Sequence, residues 1–325
     1  MAKIKRIKVI ILMGGPSSEY EVSLNTGKNI LTSLDKEKYE AEALVIDKKG
    51  NWPAKPADLK NKFDIAFIAM HGPYGEDGTA QSILEEVQMP YTGSNIASSA
   101  LGMNKFLSSQ IFRDAGLKTP HSLLISKIDW RDNKAAIFKK IALYLERPLV
   151  VKPNYQGSSI GVSIIKNLSD LEQAIEKAFN FSRHIIVQSY ISGREMACGV
   201  LDFGWLHSVQ ALPPTEIIPL AGEFFNYQSK YNPQGAQEIT PACLPASLTQ
   251  AVQRTAVIAH KLVGCRAMSR TDMILGKDNQ VYILEINTIP GMTENSLLPK
   301  AAQAAGLSFS RLLDRIIQAS LPKHR

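Results

Sequence analysis

The sequence predicts an α/β protein: an N-terminal parallel sheet, then a larger region in which strands form hairpins and pack against helices. Three observations carry that expectation. Short apolar runs alternate with helix-start signals up to about residue 94, which is the pattern of strands joined by crossover helices. Residues 149–165 hold two strand-like runs around a glycine- and serine-rich tip. Residues 267–287 hold two more, joined by the turn Gly276-Lys277-Asp278-Asn279.

Taken in order, residues 8–13 form a short apolar first strand, running from edge to core and ending in a Gly-Gly turn. Ser18-Glu19-Tyr20-Glu21 has the spacing of a capping box ahead of Leu24, Ile30, Leu31 and Leu34, so a helix begins there. Residues 39–46 and 64–70 are the next strands. A parallel sheet puts its ligand-binding loops at the carboxyl edge, and two loops fall there, 14–19 and 71–79. Beyond the hairpin at 149–165, Ser169-Asp170-Leu171-Glu172 is a second capping box that opens a helix to Phe179. A strand follows at 184–191, then a long polar loop at 221–239, a helix at 248–263, and strands at 267–275 and 281–287. The expected division is 1–95, 96–191 and 192–325, with no internal repeat.

Composition excludes several classes. At 325 residues, 45% hydrophobic and 21% charged, the chain is an ordinary globular protein of two or three domains. No apolar run reaches the ~20 residues of a membrane span. Residues 9–13 are shorter than the roughly 7–15 of a signal-peptide core, so a cytoplasmic protein is expected. Cys198, Cys243 and Cys265 are far apart and lack metal-ligand spacing, so all three read as buried free thiols. The charge of +7 comes from scattered basic residues with a single dense cluster, Lys3 to Lys8, which is not a nucleic-acid footprint. Field focusing toward an anionic substrate explains it equally well. The dinucleotide fingerprint G-x-G-x-x-G is absent, since the first turn reads Gly14-Gly15-Pro16-Ser17-Ser18-Glu19.

Two places can carry chemistry. At the hairpin tip, Gln156-Gly157-Ser158-Ser159-Ile160-Gly161 lets backbone N–H groups approach phosphate oxygens, and Lys152 upstream adds a point charge. It is not a Walker A loop. At the second hairpin, Glu285 and Asn287 are two apart and share a strand face, and antiparallel pairing brings Asp272 beside them. Oxygen ligands without His or Cys suit Mg²⁺. Arg270, on the face of Asp272, adds a cation where charge could develop on an acyl centre.

These motifs carry a resemblance. Gly14-Gly15-Pro16-Ser17-Ser18-Glu19-Tyr20-Glu21-Val22-Ser23-Leu24, His71-Gly72, Gly75-Glu76-Asp77-Gly78-Thr79 and Tyr91-Thr92-Gly93-Ser94 look like the start of a D-alanine–D-alanine ligase. Lys152-Pro153, the glycine loop, Ser192-Gly193-Arg194-Glu195, Tyr227-Gln228-Ser229-Lys230-Tyr231, Ser269-Arg270-Thr271-Asp272 and Leu284 through Leu297 continue the match in order, from about residue 8 to 318. The resemblance implies an ATP-grasp fold preceded by an N-terminal Rossmann-like domain. It also implies ligation of two D-alanines through an acyl phosphate for peptidoglycan synthesis, and a homodimer. ATP and two Mg²⁺ ions would serve, with Mn²⁺ as a substitute.

By the same resemblance, Lys105 and Lys152 touch ATP phosphates over the loop of Gly157, Ser158 and Ser159. Glu195 binds the ribose, and Gln188, Tyr190 and Ile191 face adenine. Glu19 receives the ammonium of the first D-alanine and joins Ser158 and Tyr231 in a hydrogen-bonded triad, with His71 nearby. Lys230, Ser296 and Leu297 serve the second substrate. Arg270 and the Gly291 N–H hold the oxyanion, and Asp272, Glu285 and Asn287 hold the metal. Two positions depart from the family: Gln188 stands where an acid is usual, and Asn154-Tyr155-Gln156 replaces charged residues. The competing readings are a ligase forming D-alanyl–D-lactate or another dipeptide, and a non-catalytic ATP-binding regulator. Tyr231 argues against the ester, and the retained Arg270, Asp272, Glu285, Asn287 and Lys230 argue against the regulator.

Overall fold

The structure, a computed structural model, describes residues 5–202, 209–219 and 236–322. The chain opens with β1 (Ile7–Gly14), α1 (Tyr20–Ser33), β2 (Tyr39–Ile46), α2 (Pro56–Lys60), β3 (Ile65–Ile68) and α3 (Thr79–Glu86). The three strands form a parallel sheet in the order β2-β1-β3. β1 is therefore central, not a strand running in from an edge, and its residues from Val9 to Met13 are at most 2% exposed. A strand buried on both faces reads as a continuous apolar run, which is what the sequence has.

The capping boxes read from sequence do not form. Helix α1 begins after Glu19, and no side chain caps it. The Glu19 N–H instead donates to the Ser17 hydroxyl (2.9 Å), while the Glu19 carboxylate accepts from Ser158 across the molecule. At the second box, a 3-10 turn over Leu168–Asp170 precedes α7 (Leu171–Phe179), and the Ser169 hydroxyl donates to Asp170.

The stretch 96–148, to which periodicity assigns no element, holds α4 (Ile96–Met103), α5 (Lys105–Asp114), β4 (Ser122–Ser126) and α6 (Lys127–Tyr144). Their starts carry legible caps: Asn95, Asn104 and Ser126 each accept a backbone N–H. Then come β5 (Leu149–Pro153), β6 (Ser163–Ile165), α7 and β7 (His184–Ser189), giving a four-stranded sheet β4-β7-β5-β6. The β5–β6 hairpin forms as expected, with Leu149 opposite Ile165.

The last sheet contains β8 (Gly193–Leu201), β9 (Gln210–Ala211), β10 (Thr215–Pro219), β11 (Ala236–Ile239), β12 (Met268–Gly276) and β13 (Val281–Asn287). Its main order is β11-β10-β8-β12-β13. Residues 236–239, expected as loop, are strand β11 paired with β10; the rest of the expected loop lies outside the described residues. Helix α8 (Ala246–Val263) covers this sheet through Val252, Ala256 and Val263. Two final helices, α9 (Leu297–Ala304) and α10 (Phe309–Ser320), return to the first sheet: Leu298, Leu312 and Ile316 share its core with Ile11, Phe67 and Ile68. Each such side chain, fully buried, contributes roughly 1.5–3 kcal/mol of transfer free energy. Cys198 and Cys265 are buried, and burial pushes each thiol up to about 12. Cys243 is exposed, against the expectation for it.

Candidate active site

The first cluster grows from the carboxyl edge of the parallel sheet. Strand β1 ends at Gly14, whose φ of +86° turns the chain; a Cβ there would lie 2.3 Å from the Ile46 carbonyl oxygen. The Ser17 hydroxyl donates to the His71 carbonyl (2.7 Å), which ties the two edge loops together. Glu19 is 8% exposed and accepts a short hydrogen bond from the Ser158 hydroxyl. The glycine loop packs closely on this carboxylate, since a Cβ on Gly157 would come within 2.7 Å of Glu19 Oε2. Ser158 and Ser159 both hold left-handed backbone, φ 52° and 57°, a strained conformation for residues with side chains.

His71 is buried beside them. Its Nε2 meets the Thr26 hydroxyl at 2.9 Å and its Nδ1 lies 3.5 Å from Glu76 Oε1. Burial works against a charged ring, but Glu76, with smaller help from Glu19, holds the His71 pKa above the ordinary histidine value.

The second cluster sits on β12 and β13. Asp272 pairs with Glu285 and Arg270 with Asn287 across the two strands, so the four chemical residues predicted from sequence share one patch. Arg270 clasps Asp272 through Nε and Nη2, both at 2.7 Å, and the Asn287 amide donates to Asp272 Oδ2 at 3.1 Å. Burial disfavours the Arg270 cation, but Asp272 and then Glu285 hold its pKa above the ordinary value. Glu285 lies 3.0 Å from the Lys105 ammonium. Among the described residues no three His, Cys, Asp or Glu side chains gather into a metal-holding group. The candidate set is therefore two carboxylates and one amide oxygen. That fits Mg²⁺, which leaves much of its octahedral shell to phosphate oxygens and water. Asp272 faces Arg270, and Glu285 faces Lys105.

Two cavities meet at this patch. One, of about 380 Å³, is lined by Lys105, Lys152, Ser159, Gln188, Tyr190 and Ile191 among others. Burial pulls the Lys152 ammonium down to about 8, with Lys105 adding to the fall and Glu285 opposing it. The other, of about 640 Å³, is lined by Glu19, His71, Ser158, Arg270, Gly291, Ser296 and Leu297 among others. Glu195, Ile217, Asp272 and Glu285 line both. Every described residue singled out from sequence thus falls on one cavity or the other; Lys230 and Tyr231 lie outside the described residues. Ser296 caps the loop at 291–296, its Oγ 2.8 Å from the Thr293 hydroxyl.

Sequence reasoning missed five charged residues here. Glu76 stood inside the motif at 71–79 without a role. Arg194 binds Glu216 through two hydrogen bonds, 2.7 and 2.6 Å, on the wall of the smaller cavity. Lys300 reaches Glu238 at 2.8 Å on the wall of the larger one. No local motif marks Glu216 or Glu238, because their partners are distant in sequence. Among the described residues no helix is long and apolar enough to cross a membrane.

Comparison with known proteins shows the chain's relatives. Family profiles described as D-ala D-ala ligase N-terminus and C-terminus match residues 8–61 with 53–94, and 111–318. A D-alanine–D-alanine ligase of Syntrophobacter fumaroxidans is 43% identical over 318 residues, covering 98% of each chain. One from Citrifermentans bemidjiense is 40% identical over 319 residues, covering 98% of this chain and 97% of that one. Among solved structures, the Bacillus anthracis D-alanine–D-alanine ligase complexed with ATP has a TM-score of 0.80 at 36% identity, covering 97% of each chain. The VanG D-Ala:D-Ser ligase of Enterococcus faecalis has a TM-score of 0.85 at 29% identity, covering 98% of this chain and 100% of that one. With matches along nearly its whole length, this chain belongs to the D-alanine–D-alanine ligase family.

Proposed function

We propose that the protein joins two D-alanines into D-alanyl-D-alanine at the expense of ATP, for peptidoglycan precursor synthesis. The observation that carries this reading is the meeting of two cavities at Glu195, Asp272 and Glu285. One has the lysines and apolar walls for a nucleotide, and the other has Glu19, His71 and Arg270 for amino acids. A γ-phosphoryl group at the junction touches both.

In this reading Lys105, Lys152 and the loop at Gly157, Ser158 and Ser159 hold the ATP phosphates. Glu195 takes the ribose, and Gln188, Tyr190 and Ile191 take the base. Asp272, Glu285 and Asn287 would hold two Mg²⁺ ions, or Mn²⁺, which neutralise charge on the transferring phosphoryl group. Glu19 receives the ammonium of the first D-alanine, with His71 beside it, and leaves the carboxylate turned to the phosphate. Transfer of the γ-phosphoryl group to that carboxylate gives an acyl phosphate and ADP. The free amine of the second D-alanine, held near Ser296, Leu297 and Lys230, then adds to the acyl carbon. Arg270 and the Gly291 N–H stabilise the oxyanion of the tetrahedral intermediate, and its collapse releases phosphate. Tyr231 completes the triad with Ser158 and Glu19.

We also propose the division at about 95 and 191, a homodimer, and a cytoplasmic location. The requirement for ATP and the three free cysteines support the location. Phosphate release from ATP, followed across a panel of D-amino and D-hydroxy acids with identification of the products, tests the function. Release that depends on D-alanine and yields the dipeptide is expected, and ATP binding without any such turnover would instead favour the non-catalytic regulator.

A further inference from the structure

Beside Tyr190 and Ile191 on the wall of the smaller cavity, Gln188 of β7 has a neighbour that the reaction just described does not use. Gln188 is 7% exposed, and its cross-strand partner on β5, Val150, lines the same cavity. On its other side Gln188 is paired with Ser122 of β4. Directly opposed residues of an antiparallel pair point to one face, so Val150, Gln188 and Ser122 form a row across the cavity side of the sheet. In the adjoining pair the Ser189 N–H donates to the His121 carbonyl at 2.9 Å. Ser122 and Gln188 are therefore a non-hydrogen-bonded pair, the kind whose side chains approach most closely. The Ser122 hydroxyl oxygen is buried and has no hydrogen-bond partner among the described residues. No hydrogen bond from a described residue reaches the Gln188 side chain either.

We propose that Ser122 is a positioning residue that sets which end of the Gln188 amide faces the nucleotide base. This inference rests on the ligase reading above, in which the smaller cavity takes the base of ATP. A glutamine amide is ambiguous: its oxygen accepts, its NH2 group donates, and a half-turn about the last bond exchanges them. Adenine presents a donor at C6, its exocyclic amine, and so requires the oxygen. A 6-oxopurine presents an acceptor there and requires the NH2 group. A carboxylate carries no such ambiguity, because both of its oxygens accept. With an amide a second group has to fix the orientation, and Ser122 is placed to do so. Its oxygen accepts one Gln188 N–H, which turns Oε1 toward the cavity. The same bond gives a partner to a buried hydroxyl, a group that is costly to leave unpaired. Gln188 then reads a 6-amino group as a carboxylate would, and the Ser122 hydroxyl acts without touching the ligand.

The test measures calorimetric affinities for ADP and for inosine diphosphate, whose base carries an oxygen at C6 and a proton at N1. The proteins are wild type, Ser122→Ala, Ser122→Thr, Gln188→Glu and the double variant Ser122→Ala with Gln188→Glu, each with its thermal midpoint. The N1 difference is common to all of them and cancels when their ADP-to-inosine-diphosphate affinity ratios are compared. The inference predicts a ratio at least about fivefold lower in Ser122→Ala, and a wild-type ratio in Ser122→Thr, which keeps the hydroxyl. It also predicts that the double variant matches Gln188→Glu within about twofold, because a carboxylate needs no orienting. An unchanged ratio in Ser122→Ala, or equal losses for both nucleotides, makes Ser122 a packing residue and overturns the inference. A fall of the same size in the Gln188→Glu background overturns it too, since the hydroxyl would then act independently of the amide. Nucleotide binding with the predicted ratios but no dipeptide formation would overturn the ligase reading alone, whereas a wild type that binds neither nucleotide would overturn both.

Discussion

A single carboxylate, Glu285, shows how much of the site rests on individual residues. It pairs with Asp272 across the hairpin, stands 3.0 Å from Lys105, and lines both cavities. Glu285→Gln keeps the shape but removes a charge from the proposed metal set, so turnover should fall at least about a hundredfold while the fold persists. Activity at limiting Mg²⁺ together with a circular dichroism melt checks this, and wild-type turnover would remove Glu285 from the metal site. Lys152 gives a pH signature. Burial brings its pKa to about 8 in the free protein, so the cation proposed to meet the ATP phosphates is present below that pH and lost above it. ADP affinity should weaken as pH rises through about 8, approaching tenfold for each further unit, and this extra loss should vanish in Lys152→Met. Calorimetry across that range reads the slope; an identical slope in the mutant would mean another group is titrating. The glycine loop gives a third case: a Cβ at Gly157 would press on Glu19 Oε2 at 2.7 Å. Gly157→Ala should therefore raise the KM of the first D-alanine more than that of ATP, and steady-state kinetics in each substrate would separate the two.

Among the elements, the most legible in sequence were those whose pattern is local. The β5–β6 hairpin and the β12–β13 pair follow from apolar runs around turn residues, and the strand spacing of Glu285 and Asn287 put them on one face as expected. The same local rules misplaced the helix starts. Ser18 and Ser169 have capping-box spacing but cap nothing: α1 starts after Glu19, whose N–H goes to Ser17, and a 3-10 turn intervenes at Leu168–Asp170. The true caps at Asn95, Asn104 and Ser126 were equally local but stood before weakly periodic segments. Strand β11 was hidden inside a polar stretch because its residues are half-exposed, with Glu238 turned to a cavity rather than to a core. Strand β1 makes an element-level prediction. Its end at Gly14 has φ +86° and no room for a Cβ against Ile46, so Gly14→Ala should cost on the order of 1–3 kcal/mol. A denaturant melt with an unchanged midpoint would show that the turn relaxes freely.

At the scale of the whole molecule, the site exists only because three sheets converge. Glu19 comes from the parallel sheet, Ser158 and Lys152 from the four-stranded sheet, and Asp272 and Glu285 from the last sheet. Sequence motifs named these residues but could not show that α9 and α10 return to the first sheet, since contacts so distant in sequence leave no periodic trace. That return fixes Ser296 and Leu297 opposite Glu19 around one cavity. The account's central claim is that this convergence lets ATP activate the carboxylate of one D-alanine for attack by the amine of another. Isotope transfer tests it most directly: D-alanine carrying ¹⁸O in its carboxylate is incubated with enzyme, ATP and Mg²⁺, and phosphate and dipeptide are analysed by mass spectrometry. An acyl phosphate requires one labelled oxygen to leave with inorganic phosphate for each dipeptide formed, alongside ADP. Dipeptide formed with unlabelled phosphate, or with AMP in place of ADP, would contradict the account.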